Sequence, residues 1–284
     1  MEKYYCFAGV EIAVSIPDNL AYSEDRNLAG FAVEALEDPH RFRFDVVARL
    51  SPPVGSCIAR EPAFWVYGDG QKTLRYIGSV GKGWENAYAR VENRGKEHDV
   101  QLTASQYTER IGGKTVMNCL MAEHLLAQKN GVILHSSYID QAGEGILFTA
   151  PSGTGKSTQA ELWRAYRNAE VINGDRSALR VTQEGVFACG VPFAGSSQIC
   201  KNRELPLKAI VYLKQSPETS IRRLRGAEAF RRVWEGCSVN VWDKDDVARV
   251  SRTVEQVVVS VPVYELVCTP DESAVNALEG ALQL

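Results

Sequence analysis

The sequence predicts an α/β domain over residues 103–284, preceded by a β-rich module over residues 1–102, and three observations carry that expectation. An apolar run, Gly145 to Thr149, leads into a glycine-broken loop and then into a segment with helical spacing, which is the strand, loop and helix order of an α/β unit. The first hundred or so residues instead alternate short β-prone runs with turn residues. After Thr103 the apolar spacing becomes helical, so the two segments follow different periods.

In the module, the runs Val10 to Ile16, Arg41 to Arg49, Ala63 to Tyr67, Thr73 to Ile77 and Ala87 to Val91 read as strands of a mainly antiparallel sheet, and Gly68-Asp69-Gly70 as a hairpin turn. Trp65 and Trp84 read as core residues. Beyond it, Tyr107, Ile111, Leu120, His124 and Leu125 fit a buried helical stripe, broken or restarted at Gly112-Gly113 and closed by Asn130-Gly131. Val132 to Ile139 alternates as a strand, and residues 141–144 turn into the strand 145–149. Ser157 to Arg167 reads as a helix with Ala160, Trp163 and Tyr166 on one face. Glu170 to Ile172 is a further strand, expected to run parallel to 145–149 and complete a βαβ unit. Val247, Val250, Val254, Val257 and Val258 mark a long helix, Val263 to Val267 a strand and Ser273 to Leu282 a last helix, with Asp243 and Asp271 as helix caps.

Composition narrows the function classes. The chain has 284 residues, 45% hydrophobic and 24% charged, as in a soluble protein with two modest cores. A net charge of −3 argues against a strongly basic nucleic-acid surface. The seven cysteines form no C-x-x-C pair and leave an odd thiol, which points to a reducing cytoplasm. No secretory leader opens the sequence, and no apolar run approaches the roughly 18 residues that cross a bilayer. No repeat and no low-complexity segment interrupts it.

The chemistry is concentrated in Ala150-Pro-Ser-Gly-Thr-Gly-Lys-Ser-Thr158. It meets the phosphate-loop template G-x-x-x-x-G-K-[ST] at every defined position but the first, where Ala150 stands. Gly153 and Gly155 allow a tight turn, and the loop Ser152, Gly153, Thr154, Gly155 can direct backbone N–H groups at phosphate oxygens beside a helix N-terminus. Lys156 is the charge for the β- and γ-phosphates, Ser157 a hydroxyl ligand for Mg²⁺, and Thr158 an α-phosphate contact. Asp175, in Asn173-Gly174-Asp175 at the end of the next strand, is the carboxylate placed to hold Mg²⁺ or take a proton from an attacking hydroxyl. His135 alone is ambiguous between structure and catalysis, whereas His40, His98 and His124 read as packing or surface residues. No spacing points to zinc. The basic stretch Arg222, Arg223, Arg225, Arg231 and Arg232 reads as a solvated, salt-bridged face, with docking of an acidic substrate as the alternative.

His135 in Leu134-His-Ser-Ser137, the loop 150–158 and Ile172-Asn-Gly-Asp175 resemble, in order and spacing, the C-terminal catalytic domain of HPr kinase/phosphorylase. The loop is also similar to that of ATP-dependent phosphoenolpyruvate carboxykinase, and Gly190 to Gly195, Asn202, Pro206-Leu207 and Pro262 to Leu266 resemble HPr-kinase-related proteins. The likeness spans about residues 125–284 and implies a P-loop core of the HPr kinase/carboxykinase type. It implies ATP and Mg²⁺ as ligands, Lys156, Asp175 and His135 as catalytic residues, Ser157 and Asp175 as metal ligands, and Lys201 and Arg203 as further phosphate or substrate contacts. One position departs: the paired aspartates of both families are here Gly174 and Asp175, so one carboxylate serves two roles or another group activates the acceptor. The implied activity is γ-phosphoryl transfer to a hydroxyl of a protein, peptide or small molecule, with a non-catalytic nucleotide sensor as the rival. The β-rich module would then choose the acceptor or complete a homo-oligomer.

Overall fold

The computed structural model describes residues 1–70, 72–78, 81, 83–107 and 109–283. The chain divides into two compact units, Met1–Ala122 and Glu123–Leu284.

The first unit runs β1 (Glu2–Phe7), β2 (Val10–Ser15), β3 (Ala21–Ser23), α1 (Arg26–Ala29), β4 (His40–Val47), β5 (Ser56–Glu61), β6 (Phe64–Gly68), β7 (Thr73–Gly78), β8 (Ala87–Arg94), β9 (Glu97–Thr103), β10 (Arg110–Gly112) and α2 (Gly113–Cys119). Eight strands make one sheet, ordered β1-β2-β4-β9-β8-β7-β6-β5. Its pairs are antiparallel except β2 with β4 and β4 with β9. Alternate residues of β4, His40, Phe42 and Phe44, are buried, as a half-covered strand requires. Trp65 and Trp84 pack partly buried against Leu50, Tyr67, Leu74 and Tyr76. The stripe from Tyr107 differs from expectation: Ile111 lies in a short strand because β10 pairs parallel with β3. That pairing draws the residues after Leu102 into the first unit, so the division falls at Ala122.

The second unit holds α3 (Ala122–Gln128), which begins at the division, then β11 (Gly131–Gln141), β12 (Glu144–Thr149), α4 (Lys156–Arg167), β13 (Glu170–Asn173), β14 (Arg176–Val181), β15 (Val186–Gly190), β16 (Glu204–Gln215), β17 (Ser220–Leu224), α5 (Gly226–Trp234), β18 (Cys237–Ser238), α6 (Lys244–Ser260), β19 (Val263–Cys268) and α7 (Glu272–Leu282). Its nine-stranded sheet is mixed, with β12, β16 and β19 parallel neighbours and β11 antiparallel to β12. β12 is buried on both faces: Ile146 and Phe148 enter one apolar cluster with Trp163 and Leu278, while Leu147 enters another with Val250 and Val254. Helices α4 and α7 thus cover one side of these strands and α5 and α6 the other, which is why the strand reads as a continuous apolar run.

Two local expectations change. β13 runs in the direction of β12 but pairs antiparallel with β11, which lies between them. Tyr166 is 45% exposed, because α4 turns only Ala160 and Trp163 of the expected face, with Gln159, toward the sheet. Among the described residues no helix is long and apolar enough to cross a membrane.

Candidate active site

Strand register assembles the site. β11 is paired on both edges, so Ser136 lies opposite Thr149 at the end of β12 while His135 lies opposite Arg176 at the start of β14. The backbone N–H of Ser136 donates to the Asp175 carbonyl at 3.0 Å, and the Thr149 hydroxyl donates to the His135 carbonyl at 2.9 Å. The loop after β12 and the turn before β14 are therefore held against the same strand.

The loop closes with Gly153 at φ +79° and Gly155 at φ +111°, conformations that a side chain would strain. Gly155 caps α4 without a side-chain acceptor, which leaves the first backbone N–H groups of the helix without the oxygen that a Ser or Asp cap supplies. Lys156 is 7% exposed and its ammonium donates to the carbonyls of Ala150 at 3.0 Å and Pro151 at 3.3 Å. Burial lowers its pKa, and the Asp175 carboxylate opposes that shift. The Ser157 hydroxyl donates to the Gly174 carbonyl at 3.2 Å, which ties the loop to the Asp175 turn.

Asn173 shapes that turn. It is fully buried, its Oδ1 accepts the N–H groups of Asp175 at 2.9 Å and Arg176 at 3.0 Å, and its Nδ2 donates to the Val191 carbonyl at 2.9 Å. Asp175 stands 3.3 Å from His135 Nε2 through Oδ1 and 3.5 Å from Arg176 Nε through Oδ2. Burial holds the His135 pKa below the ordinary imidazole value, the Lys156 charge pushes the same way, and Asp175 opposes both. His135 is thus neutral at pH 7. Gly174 has a steric reason: a Cβ there would fall on the Ser197 side chain, so the turn has no room for a carboxylate beside Asp175.

Two clefts flank the loop. One, of ≈ 570 Å³, is lined by Gly153, Thr154, Gly155, Thr158 and the ends of β16 and β19, including Gln215 and Thr269. The other, of ≈ 390 Å³, is lined by the loop's beginning at Ala150 and Pro151 together with His135, Arg176, Tyr212 and Glu235 to Ser238. Cys237 offers no thiolate at neutral pH, since burial pushes its pKa up to about 12 and its Sγ donates to the Val233 carbonyl.

Residues 113–270 match the family of the SynChlorMet cassette protein ScmC, more than half of the sequence. The chain belongs to that family. No curated protein matches it. Among solved structures it is similar to the HPr(Ser) kinase/phosphatase from Coxiella burnetii at 10% identity, over 52% of this chain and 95% of that one, with a TM-score of 0.32.

In this ScmC-family chain His135, Lys156, Ser157 and Asp175 converge, and Gly153, Thr154, Gly155 and Thr158 line one cleft. Ser152 lies exposed in the loop between them. Lys201 and Arg203 stand apart, paired with Glu170 at 2.6 Å and Asp140 at 2.8 Å. Sequence reasoning missed Arg176, Asn173 and the Glu235 to Ser238 wall. A basic residue directly after the Asp175 motif was the available signal for the first, whereas β18 is two residues long and carries none. The arginine stretch is largely ion-paired, Arg222 with Glu228 and Glu265, and Arg231 and Arg232 with Glu235.

The remaining histidines pack as expected. His40 and His98 are buried 3.1 Å apart. His124 bonds Asp246 at 2.9 Å, linking α3 to α6, while Asp243 caps α6 by accepting the N–H groups of Asp245 and Asp246. His124, Asp243 and Asp246 lie close enough to share a cation, yet Asn240 and Arg249 also bond Asp246, so the buried carboxylate is already satisfied.

Proposed function

We propose that this protein is an ATP- and Mg²⁺-dependent kinase that transfers the γ-phosphoryl group to a hydroxyl acceptor. The observation that carries the reading is the meeting of His135 and Asp175, at 3.3 Å, with a loop whose Lys156 and Ser157 suit a triphosphate. The donor set fits the ligands: two glycines at positive φ, a buried ammonium resting on the backbone carbonyls of Ala150 and Pro151, and a hydroxyl and a carboxylate as hard oxygen donors. Backbone N–H groups of residues 152–155, Lys156 and Thr158 would hold phosphates, and Ser157 and Asp175 would hold Mg²⁺, whose charge offsets that of the phosphates. The larger cleft takes the nucleoside and the smaller one the acceptor.

In transfer, the acceptor oxygen forms a bond to the γ-phosphorus as the bond to the ADP oxygen breaks, and the hydroxyl proton passes to Asp175. His135, whose Nε2 lies 3.3 Å from Asp175 Oδ1, would keep the carboxylate oriented. Positioning and charge neutralisation supply most of the acceleration in such reactions, so a single carboxylate suffices. The test is incubation with ATP, Mg²⁺ and a panel of hydroxyl-bearing peptides and metabolites, with ³¹P detection of a phosphorylated product. ATP binding without any transfer would favour the second reading, a nucleotide sensor, for which the lack of space at Gly174 is the supporting observation.

For the first unit we propose acceptor choice or assembly with further copies, since residues 1–102 hold no phosphate-binding motif. A chain starting at Glu123 that folds should still bind ATP and should lose discrimination among acceptors. Loss of nucleotide binding in that folded chain would overturn the division of labour.

A further inference from the structure

The smaller cleft contains an uncommitted cation. Around the sheet's ends, Arg180 pairs with Glu204 at 2.8 Å, Lys201 with Glu170 at 2.6 Å, Arg203 with Asp140 at 2.8 Å and Lys214 with Glu265 at 2.6 Å. Arg176 differs. Its approach to a carboxylate is a long one, Nε to Asp175 at 3.5 Å, and its guanidinium carbon lies 5.6 Å from the centre of the Phe193 ring. Its two terminal nitrogens have no hydrogen-bond partner among the described residues, and its side chain is 41% exposed. The cleft's own carboxylate, Glu235, is already engaged by Arg232 at 3.1 Å.

We propose that this cleft binds an acceptor whose hydroxyl lies beside a carboxylate, and that Arg176 binds the carboxylate. The assignment rests on the kinase reading only for the word acceptor; the anion site itself does not require it. With no hydrogen bond on its terminal nitrogens among the described residues, the guanidinium can take a planar, bidentate partner. Because Arg176 follows Asp175, lies within 3.5 Å of its carboxylate and stands opposite His135 in register, one small molecule or chain end can place a hydroxyl at Asp175 and a carboxylate at Arg176. A carboxylate suits the place better than a phosphate, since the acceptor must approach a triphosphate and a second negative charge adds repulsion.

The test compares N-acetyl-L-serine with N-acetyl-L-serinamide, which share a hydroxyl and differ in the carboxylate, by ligand-observed NMR titration of the full-length protein. The acid is expected to bind at least about tenfold more tightly than the amide. Arg176→Gln should erase that preference, and Arg176→Lys, which keeps the charge but not the fork, should retain part of it. Melting temperature and ATP binding are measured on each variant, so a general loss of structure is seen separately; if the glutamine variant does not fold, the lysine variant decides. Equal affinity for acid and amide, no binding of either at millimolar concentration, or an unchanged preference in Arg176→Gln would overturn the proposal. The titration is repeated with a non-hydrolysable ATP analogue and Mg²⁺. A protein that binds the acid through Arg176 but not the analogue would refute the kinase reading and leave the anion site standing.

Discussion

The two clefts beside the loop 150–158 are built in different ways. The larger draws its loop residues from one continuous motif, Gly153 to Thr158, whose Gly155 caps α4 and whose last residues are the helix's first turn, against the ends of β16 and β19. The smaller gathers His135 from β11, Ala150 from the end of β12, Arg176 from β14 and Glu235 to Ser238 from the segment around β18. A phosphate cradle needs mostly backbone, which neighbouring residues can supply, whereas discrimination among acceptors needs side chains from several directions. Variants that separate the clefts test whether this difference in construction is a difference in task.

The largest effect is expected at Asp175. Asp175→Asn keeps the volume and the contacts of the turn but removes the charge that would hold the metal or take the proton. Transfer should fall by about 10²- to 10⁴-fold, while the thermal shift produced by nucleotide changes far less. Equal turnover in the variant would show that this carboxylate, beside His135 and Arg176, has no chemical role.

Lys156→Ala addresses the loop itself. ATP with Mg²⁺ at about 100 times its dissociation constant should add roughly 2.7 kcal/mol to stability, and the variant should lose that gain. The free protein should be only modestly affected, because the ammonium rests on the carbonyls of Ala150 and Pro151, which water can reach once it is gone. A persistent shift in Lys156→Ala would break the assignment of the larger cleft to nucleotide.

Legibility followed the same division. The residues of the loop, the strand before it and the helix after it were readable because the motif's requirements are local: two backbone conformations, one ammonium and one hydroxyl. Asp175 was singled out because it closely follows a short apolar strand, β13, after the loop and its helix. Arg176 and Asn173 were missed because their roles depend on register, with β11 setting His135 against Arg176 across a pairing of distant segments. Lys201 and Arg203 were placed near phosphate by the order of the family's motifs, which says nothing of the partners a fold brings to them; here they pair with Glu170 and Asp140. In the first unit, the hairpin of β6 and β7 was marked by its turn, while β10 was obscured by helix-like spacing that its pairing with β3 overrides.

Gly174 offers a smaller and more local test of why the turn before β14 carries a single carboxylate. Gly174→Ala should cost about 1–3 kcal/mol, since its methyl group meets the Ser197 side chain in a packed turn. Ser197→Gly removes the obstructing atoms, so the double variant should recover much of the loss, and a double-mutant cycle on urea unfolding measures the coupling. Additive costs would mean that Ser197 is not what keeps this position a glycine.

The mildest expected effect is on pH, and it is specific to the smaller cleft. Burial and the Lys156 charge hold the His135 pKa below its ordinary value of 6.5 despite the opposing Asp175. In the unfolded chain this imidazole takes a proton as pH falls through that ordinary value; in the folded protein it does so only at lower pH. Its contribution to stability is therefore fully present above about pH 6.5 and declines as pH drops toward the folded value. Transfer should follow the same group, since protonated His135 competes with the acceptor for the Asp175 charge. The acid limb of kcat/KM, which reports the free protein, should thus lie below the ordinary imidazole range, and His135→Asn should remove or displace it. An acid limb identical in position and steepness in wild type and His135→Asn would assign the titration to another group and leave His135 a structural member of β11.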